Sequence, residues 1–99
     1  MALGKLFKSL LGGGGEPQEQ ISDPITHKGF TIEAAPIPED GKYRTAGYIS
    51  GDLEGETKRV RFIRADQHAS MDAAMDHAMA KGKQIINEQG KALLQKEQL

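Results

Sequence analysis

The chain has 99 residues, of which 37% are hydrophobic and 27% are charged, with a formal net charge of −1 and no cysteine. This length and composition predict one soluble globular domain and exclude a second one of ordinary size. The lack of cysteine excludes disulfides, thiolate metal sites and cysteine nucleophiles, and it fits a cytoplasmic location. The even charge balance gives no general attraction to nucleic acid.

The first eleven residues carry a short basic amphipathic pattern. Leu3, Leu6, Phe7 and Leu10 recur at helical spacing, and lysines lie between them. The segment is too short for a membrane-spanning helix and lacks the pattern of a secretory signal. Two interpretations stay open: a helix that docks on a membrane surface or another protein, or a terminus that folds back or stays disordered.

A linker follows this amphipathic segment. Residues 12–15 are four consecutive glycines, whose backbone entropy opposes a helix. The polar stretch 16–26 contains Pro17 and Pro24 and extends the linker. We therefore predict a flexible N-terminal segment and linker over residues 1–27, and a single domain over residues 28–99.

Three segments with alternating apolar residues predict β-strands. Phe30, Ile32 and Ala34 alternate with more polar neighbours, and Pro36 and Pro38 then end the first strand. Residues 39–41 have the chemistry of a hairpin loop. Residues 43–50 and 57–64 form the second and third predicted strands, with a loop over residues 51–56. The predicted sheet is a three-stranded antiparallel meander.

A long amphipathic helix is predicted over residues 70–89, with Ser70 as its N-cap and Gly90 as its C-terminal cap. Gly82 predicts close approach of the helix to a strand, opposite Gly47. Residues 91–99 are another helix-prone piece, expected either to continue the helix after a kink or to fray. The apolar stripe consists of Met71, Ala74, Met75, Ala78, Gly82, Ile85 and Ile86. The predicted fold class is α+β, a βββα domain with one long C-terminal α-helix packed on one face of the sheet.

The face of the sheet turned away from this helix is the candidate binding surface. Strand alternation puts Arg44, Tyr48, Arg59 and Arg61 on it. One helix covers only one face, so the other is open to the N-terminal segment, a second copy or another molecule. Arginine beside tyrosine can bind phosphate and stack a base, whereas the same charges can simply keep an edge strand soluble. Because the net charge is near zero, a protein partner is favoured over nucleic acid.

Catalytic chemistry finds little support in the sequence. His68, Asp72, Asp76 and His77 could ligate a divalent metal, but they do not share one helix face, and a solvated polar face is the expected role. His27 has no identifiable partner. Nucleophile elbows and phosphate-binding loops are missing from the sequence. We therefore expect no enzyme activity, no catalytic residues, no cofactor and no metal site.

Several separate blocks resemble the small bacterial HlyU family, whose members are labelled transcriptional activators of haemolysin expression. The blocks are LGKLF at residues 3–7, the glycine run 12–15, KGFTI at 28–32, FIRAD at 62–66 and KQIINEQG at 83–90. The resemblance covers nearly the whole chain. It implies a bacterial, cytoplasmic and regulatory role.

The resulting functional hypothesis is a non-enzymatic regulator that acts through the outer sheet face. Direct operator binding by the long helix is not expected, because Asp72 and Asp76 at its N-terminal end would repel phosphate. The alternative hypothesis is a protein-docking or membrane-docking adaptor anchored by the N-terminal segment. Monomer and dimer both stay open, since an exposed strand edge can pair with a second copy.

Overall fold

The computed structural model describes residues 20–99, so the predicted docking residues Leu3, Leu6, Phe7 and Leu10 lie outside the described part. The fold is α+β, with an antiparallel sheet followed by one long helix, as predicted. The elements are β1 (Ile25–His27), β2 (Phe30–Ala34), β3 (Ile37–Glu39), β4 (Lys42–Leu53), β5 (Glu56–His68) and α1 (Met71–Gln89). A short 3₁₀ helix, Gly90–Gln95, follows α1 directly.

Strand β4 is the centre of the sheet. β5 pairs along one of its edges, whereas β2 and β3 pair with successive parts of the other edge. β1 adds to the far side of β2, and all these pairings are antiparallel. A register shift between Arg44 and Ala46 leaves extra β5 residues opposite Thr45. Such a bulge bends the strand and redirects its side chains.

Three two-residue turns connect the paired strands. Each has positive φ at both residues and glycine second, which is the backbone of a type I′ hairpin. The turns are Lys28–Gly29 (φ 51° and 83°), Asp40–Gly41 (52° and 78°) and Glu54–Gly55 (53° and 84°). The hairpin predicted at residues 39–41 is confirmed, with a turn of Asp40 and Gly41 only, because Glu39 belongs to β3.

The sheet has five strands instead of the predicted three. Strand β1 lies in residues assigned to the linker, and that assignment is wrong for residues 25–27, because His27 pairs with Phe30 across the Lys28–Gly29 turn. The first predicted strand ends at Ala34, before the prolines, as expected, but the separate strand β3 around Pro38 was not predicted. Pro38 is accommodated because β3 pairs only with β4, so its missing N–H costs no bond on the free side.

The hairpin loop predicted over residues 51–56 is present but shorter than predicted, because the turn contains only Glu54 and Gly55. Gly51 belongs to β4, and neighbouring side chains fill the space above it. A Cβ on Gly51 would lie 2.9 Å from Cδ2 of Phe30 and 3.2 Å from Cδ1 of Leu94. This glycine thus admits core side chains and does not break the strand.

Helix α1 agrees with the prediction at both ends. The Ser70 hydroxyl accepts a hydrogen bond from the Ala73 amide at 3.1 Å, and Gly90 has φ 54°. The close approach at Gly82 is confirmed, but its neighbour is Ile32: a Cβ there would lie 2.7 Å from Cγ2 of Ile32. Gly47 instead lies against the ring of Phe62.

The core lies between α1 and the facing side of the sheet. It contains the buried residues Phe30, Ile32, Ala34, Ile49, Val60, Phe62, Ala78, Ile85, Ile86, Leu93 and Leu94. The C-terminal residues pack on the domain, because Leu93 and Leu94 are buried in the 3₁₀ helix. The Leu99 amide then donates to the Arg61 carbonyl at 2.8 Å, beside β5.

Candidate interaction face and histidine cluster

The outer face is the side of the sheet turned away from α1, and its central row crosses three strands. Glu33 in β2 pairs with Tyr48 in β4, and Tyr48 pairs with Arg61 in β5. The neighbouring row, Ile32, Ile49 and Val60, is buried in the core, so strand alternation turns the Glu33 row outward. Arg59 lies on the same face, two residues before Arg61.

The side chains of Tyr48 and Arg59 are in contact on the outer face. The Arg59 guanidinium carbon lies 3.8 Å from the centre of the Tyr48 ring, and that of Arg61 lies 5.7 Å from it. Arg59 Nη2 also donates to Glu33 Oε1 at 3.2 Å. Cations over an aromatic ring are attracted by its electron-rich face. The arrangement combines an aromatic ring, two cations and one carboxylate.

Arg44 belongs to a separate group at the other end of β4. Its Nη2 and Nε donate to Glu39 Oε1 at 2.7 and 3.0 Å, and Gln67 Nε2 donates to the same oxygen at 2.6 Å. The hydrogen bond from Arg44 lowers the pKa of the Glu39 carboxyl, and the bond from Gln67 lowers it further. Tyr48 lies four residue steps after Arg44 along the strand, which is about 13 Å. The structure thus brings together three of the four predicted outer-face residues.

The second polar group lies on the side of the sheet that faces the helix. Thr45 is fully buried, and its Oγ1 lies 3.1 Å from His68 Nε2 and 3.1 Å from His77 Nδ1. The two ring nitrogens are 2.8 Å apart, and His77 Nε2 lies 3.4 Å from Asp66 Oδ2. We call Thr45, Asp66, His68 and His77 the histidine cluster.

The histidine cluster differs from the set considered from sequence. His68 and His77 meet, whereas Asp72 and Asp76 are exposed and make no contact in the cluster. Sequence reasoning missed Thr45 and Asp66. A signal for Thr45 existed, since it is a polar residue at a strand position whose alternation points to the helix. The contact with Asp66 depends on the bulge in β5, which has no comparable sequence signal.

His27 has a partner that the sequence did not reveal. Its Nε2 lies 3.0 Å from Oδ1 of Asn87 near the end of α1.

Within residues 20–99, no group of three or more His, Cys, Asp or Glu side chains is arranged around a common metal position. Across the same residues, no helix combines the length and hydrophobicity needed to cross a membrane.

These features define a class of protein: a small α+β domain whose outer sheet face carries a tyrosine ring and charges of both signs. The profile of one family, HlyU, described as Transcriptional activator HlyU, matches residues 5–94. The chain therefore belongs to the HlyU family, whose name suggests a transcriptional regulator. The resemblance found in the sequence is confirmed. Curated proteins and solved structures gave no match.

Proposed function

We propose that this chain is a non-enzymatic regulator of transcription that binds a protein partner through the outer face of its sheet. The family description supports the regulatory part of the proposal. One observation carries the choice of surface: Arg59 stacks on Tyr48 at 3.8 Å while pairing with Glu33. Tyrosine and arginine are the residue types that dominate protein-binding hot spots. The proposed setting is the bacterial cytoplasm.

The chemistry of the outer face favours a protein over nucleic acid. Glu33 pairs with Arg59, and Glu39 pairs with Arg44, so carboxylates are interspersed among the cations. These carboxylates would repel a phosphate backbone. A base could stack on Tyr48 only after displacing the Arg59 guanidinium from the ring. A protein surface that supplies both an acidic and an apolar group fits this face without such rearrangement.

The proposal is tested by complementation of a bacterial strain that lacks this gene. Transcript levels are compared after expression of the natural chain, an Arg59→Ala/Arg61→Ala variant, and a Lys83→Ala/Lys91→Ala control. The control removes the same charge from exposed positions in and after α1. We expect the control to restore the transcript pattern and the arginine variant to fail at equal abundance. Restoration by both variants would contradict the proposal.

Direct nucleic-acid binding is separated from protein binding by a salt titration. The full chain is titrated with mixed labelled DNA and RNA, beside the Arg59→Ala/Arg61→Ala variant. A protein partner predicts no saturable nucleic-acid binding at low salt. Saturable binding that weakens with salt, with a smaller salt slope in the variant, would instead assign the face to phosphate contacts.

A further inference from the structure

Three polar atoms of the histidine cluster lie at the corners of a small triangle. Its sides are 2.8 Å between His68 Nε2 and His77 Nδ1, and 3.1 Å from each nitrogen to Thr45 Oγ1. The atoms come from three elements: β4, the end of β5 and the first half of α1. The outer-face proposal uses none of them.

Hydrogen bonds alone satisfy this triangle poorly. The contact between His68 and His77 is a hydrogen bond only if just one of the two facing nitrogens carries a hydrogen. That hydrogen and the hydrogen of the Thr45 hydroxyl are then the two available for three short contacts. Two hydrogens can point along only two sides of the triangle. The lone pairs of the three atoms can instead all coordinate one cation.

The spacing matches one face of an octahedral metal site. Metal–nitrogen bonds of about 2.1 Å at right angles separate two donors by about 3.0 Å, whereas tetrahedral angles separate them by about 3.4 Å. The observed sides of 2.8, 3.1 and 3.1 Å agree with the right-angle value. The imidazole rings meet at 79° with centroids 4.8 Å apart, close to the separation of about 4.6 Å for two rings bound at right angles.

The surroundings complete the requirements of such a site. A carboxylate on the far nitrogen of a ligating histidine fixes the ring and its tautomer, and Asp66 has this position relative to His77. The His77 side chain is 28% exposed, so the cluster lies next to solvent, the source from which any further ligands would come. Imidazole donors suit nickel, copper, zinc and iron.

We propose that Thr45, His68 and His77 bind one divalent transition-metal ion of octahedral preference, with Asp66 as the residue that positions His77. The ion links the end of β5 to α1 on the face opposite the partner-binding surface. Ni²⁺ is the probe, because it accepts imidazole nitrogen and favours right-angle geometry.

The test is calorimetric titration of Ni²⁺ into the full chain, purified without a polyhistidine tag. His27→Gln is the matched control, since the chain has three histidines and His27 contacts Asn87 instead of the cluster. We expect one saturable site that is retained in His27→Gln. His68→Gln and His77→Gln should each weaken it by more than tenfold, and Asp66→Asn should weaken it by about tenfold or more.

A second measurement locates the ion without any variant. Paramagnetic Ni²⁺ should broaden amide NMR signals first around Thr45, His68 and His77 in the natural chain, and those around His27 should remain. This map also decides the matter if a histidine variant fails to fold. Absence of saturable binding, equal loss in His27→Gln, or broadening centred elsewhere would each overturn the proposal and leave a purely hydrogen-bonded cluster.

Discussion

The two faces of the sheet differ in what their side chains contact. On the inner face, Ile32 and Phe62 are fully buried, and Gly82 lets α1 approach Ile32 closely. On the outer face, Arg59 and Glu33 form an ion pair in which their side chains are 47% and 24% exposed. Burial of apolar groups is worth much more than exposed ion pairs. The inner face therefore holds the fold, and the outer face contributes less to stability, which is compatible with the binding role proposed for it.

The strongest test of this difference is to truncate one aromatic residue on each face. Phe62→Ala removes a fully buried ring and should lower the free energy of unfolding by about 3–5 kcal/mol. Tyr48→Ala removes a half-buried side chain together with its contact to Arg59. The loss of this contact should cost about 1 kcal/mol in addition to the loss of buried area. Urea unfolding of both variants measures the two losses. Equal losses would contradict the assigned roles.

The fit of α1 on the sheet is tested at Gly82. A methyl group there would lie 2.7 Å from Cγ2 of the fully buried Ile32, so one of the two must shift, and such overpacking costs about 1–3 kcal/mol. This exceeds the gain of about 1 kcal/mol from replacing a mid-helix glycine. Gly82→Ala should therefore lower the urea midpoint. Ala80→Gly, at an exposed position of α1, measures the helix propensity alone. A stabilised Gly82→Ala variant would show that the approach is loose.

The outer-face ion pair should contribute little to stability. A double-mutant cycle with Arg59→Ala and Glu33→Ala should give a coupling free energy of about 0.2–1 kcal/mol, falling as salt is added. The pair Lys58–Glu56, at 3.2 Å and with a Glu56 side chain 74% exposed, provides the comparison and should couple less. A coupling free energy of about 3 kcal/mol between Arg59 and Glu33 would show that the outer face contributes substantially to the stability of the fold, contrary to this account.

The smallest predicted effect concerns pH. Because Arg44 lowers the pKa of Glu39 below its ordinary value of 4.5, the folded state favours the charged carboxylate. The resulting stabilisation is present above pH 4.5 and is lost as the pH falls through the lowered pKa. The difference in unfolding free energy between the natural chain and Glu39→Gln should thus shrink on acidification. A difference that stays constant from pH 7 to acid, about pH 3, would count against the Arg44 contact.

Local signals in the sequence predicted helix α1 well and the strands less completely. Ser70, Gly90 and the apolar stripe fix the helix through backbone capping and periodicity, which operate within a few residues. Strands β1 and β3 have three residues each, too few for alternation to be distinctive. Their formation depends on pairing with β2 and β4, which is a tertiary effect.

The candidate sites, too, could be predicted only where a local sequence pattern determines them. Strand alternation was enough to put Tyr48, Arg59 and Arg61 on one face, because the period of two holds across paired strands. It did not reveal the ion pair between Glu33 and Arg59, or the ion pair between Glu39 and Arg44 in a separate group. The histidine cluster was less accessible, since it joins Thr45 to His77 across 32 residues and depends on the β5 bulge.

The central claim is that the outer face serves binding and not folding, and the Arg59→Ala/Arg61→Ala variant tests it most directly. Its free energy of unfolding and its ability to restore regulated transcripts are measured on the same chain. The account predicts a loss of unfolding free energy of no more than about 1 kcal/mol together with failure to restore the transcripts. Full restoration, or a loss of about 3 kcal/mol or more that explains the failure by unfolding, would contradict it.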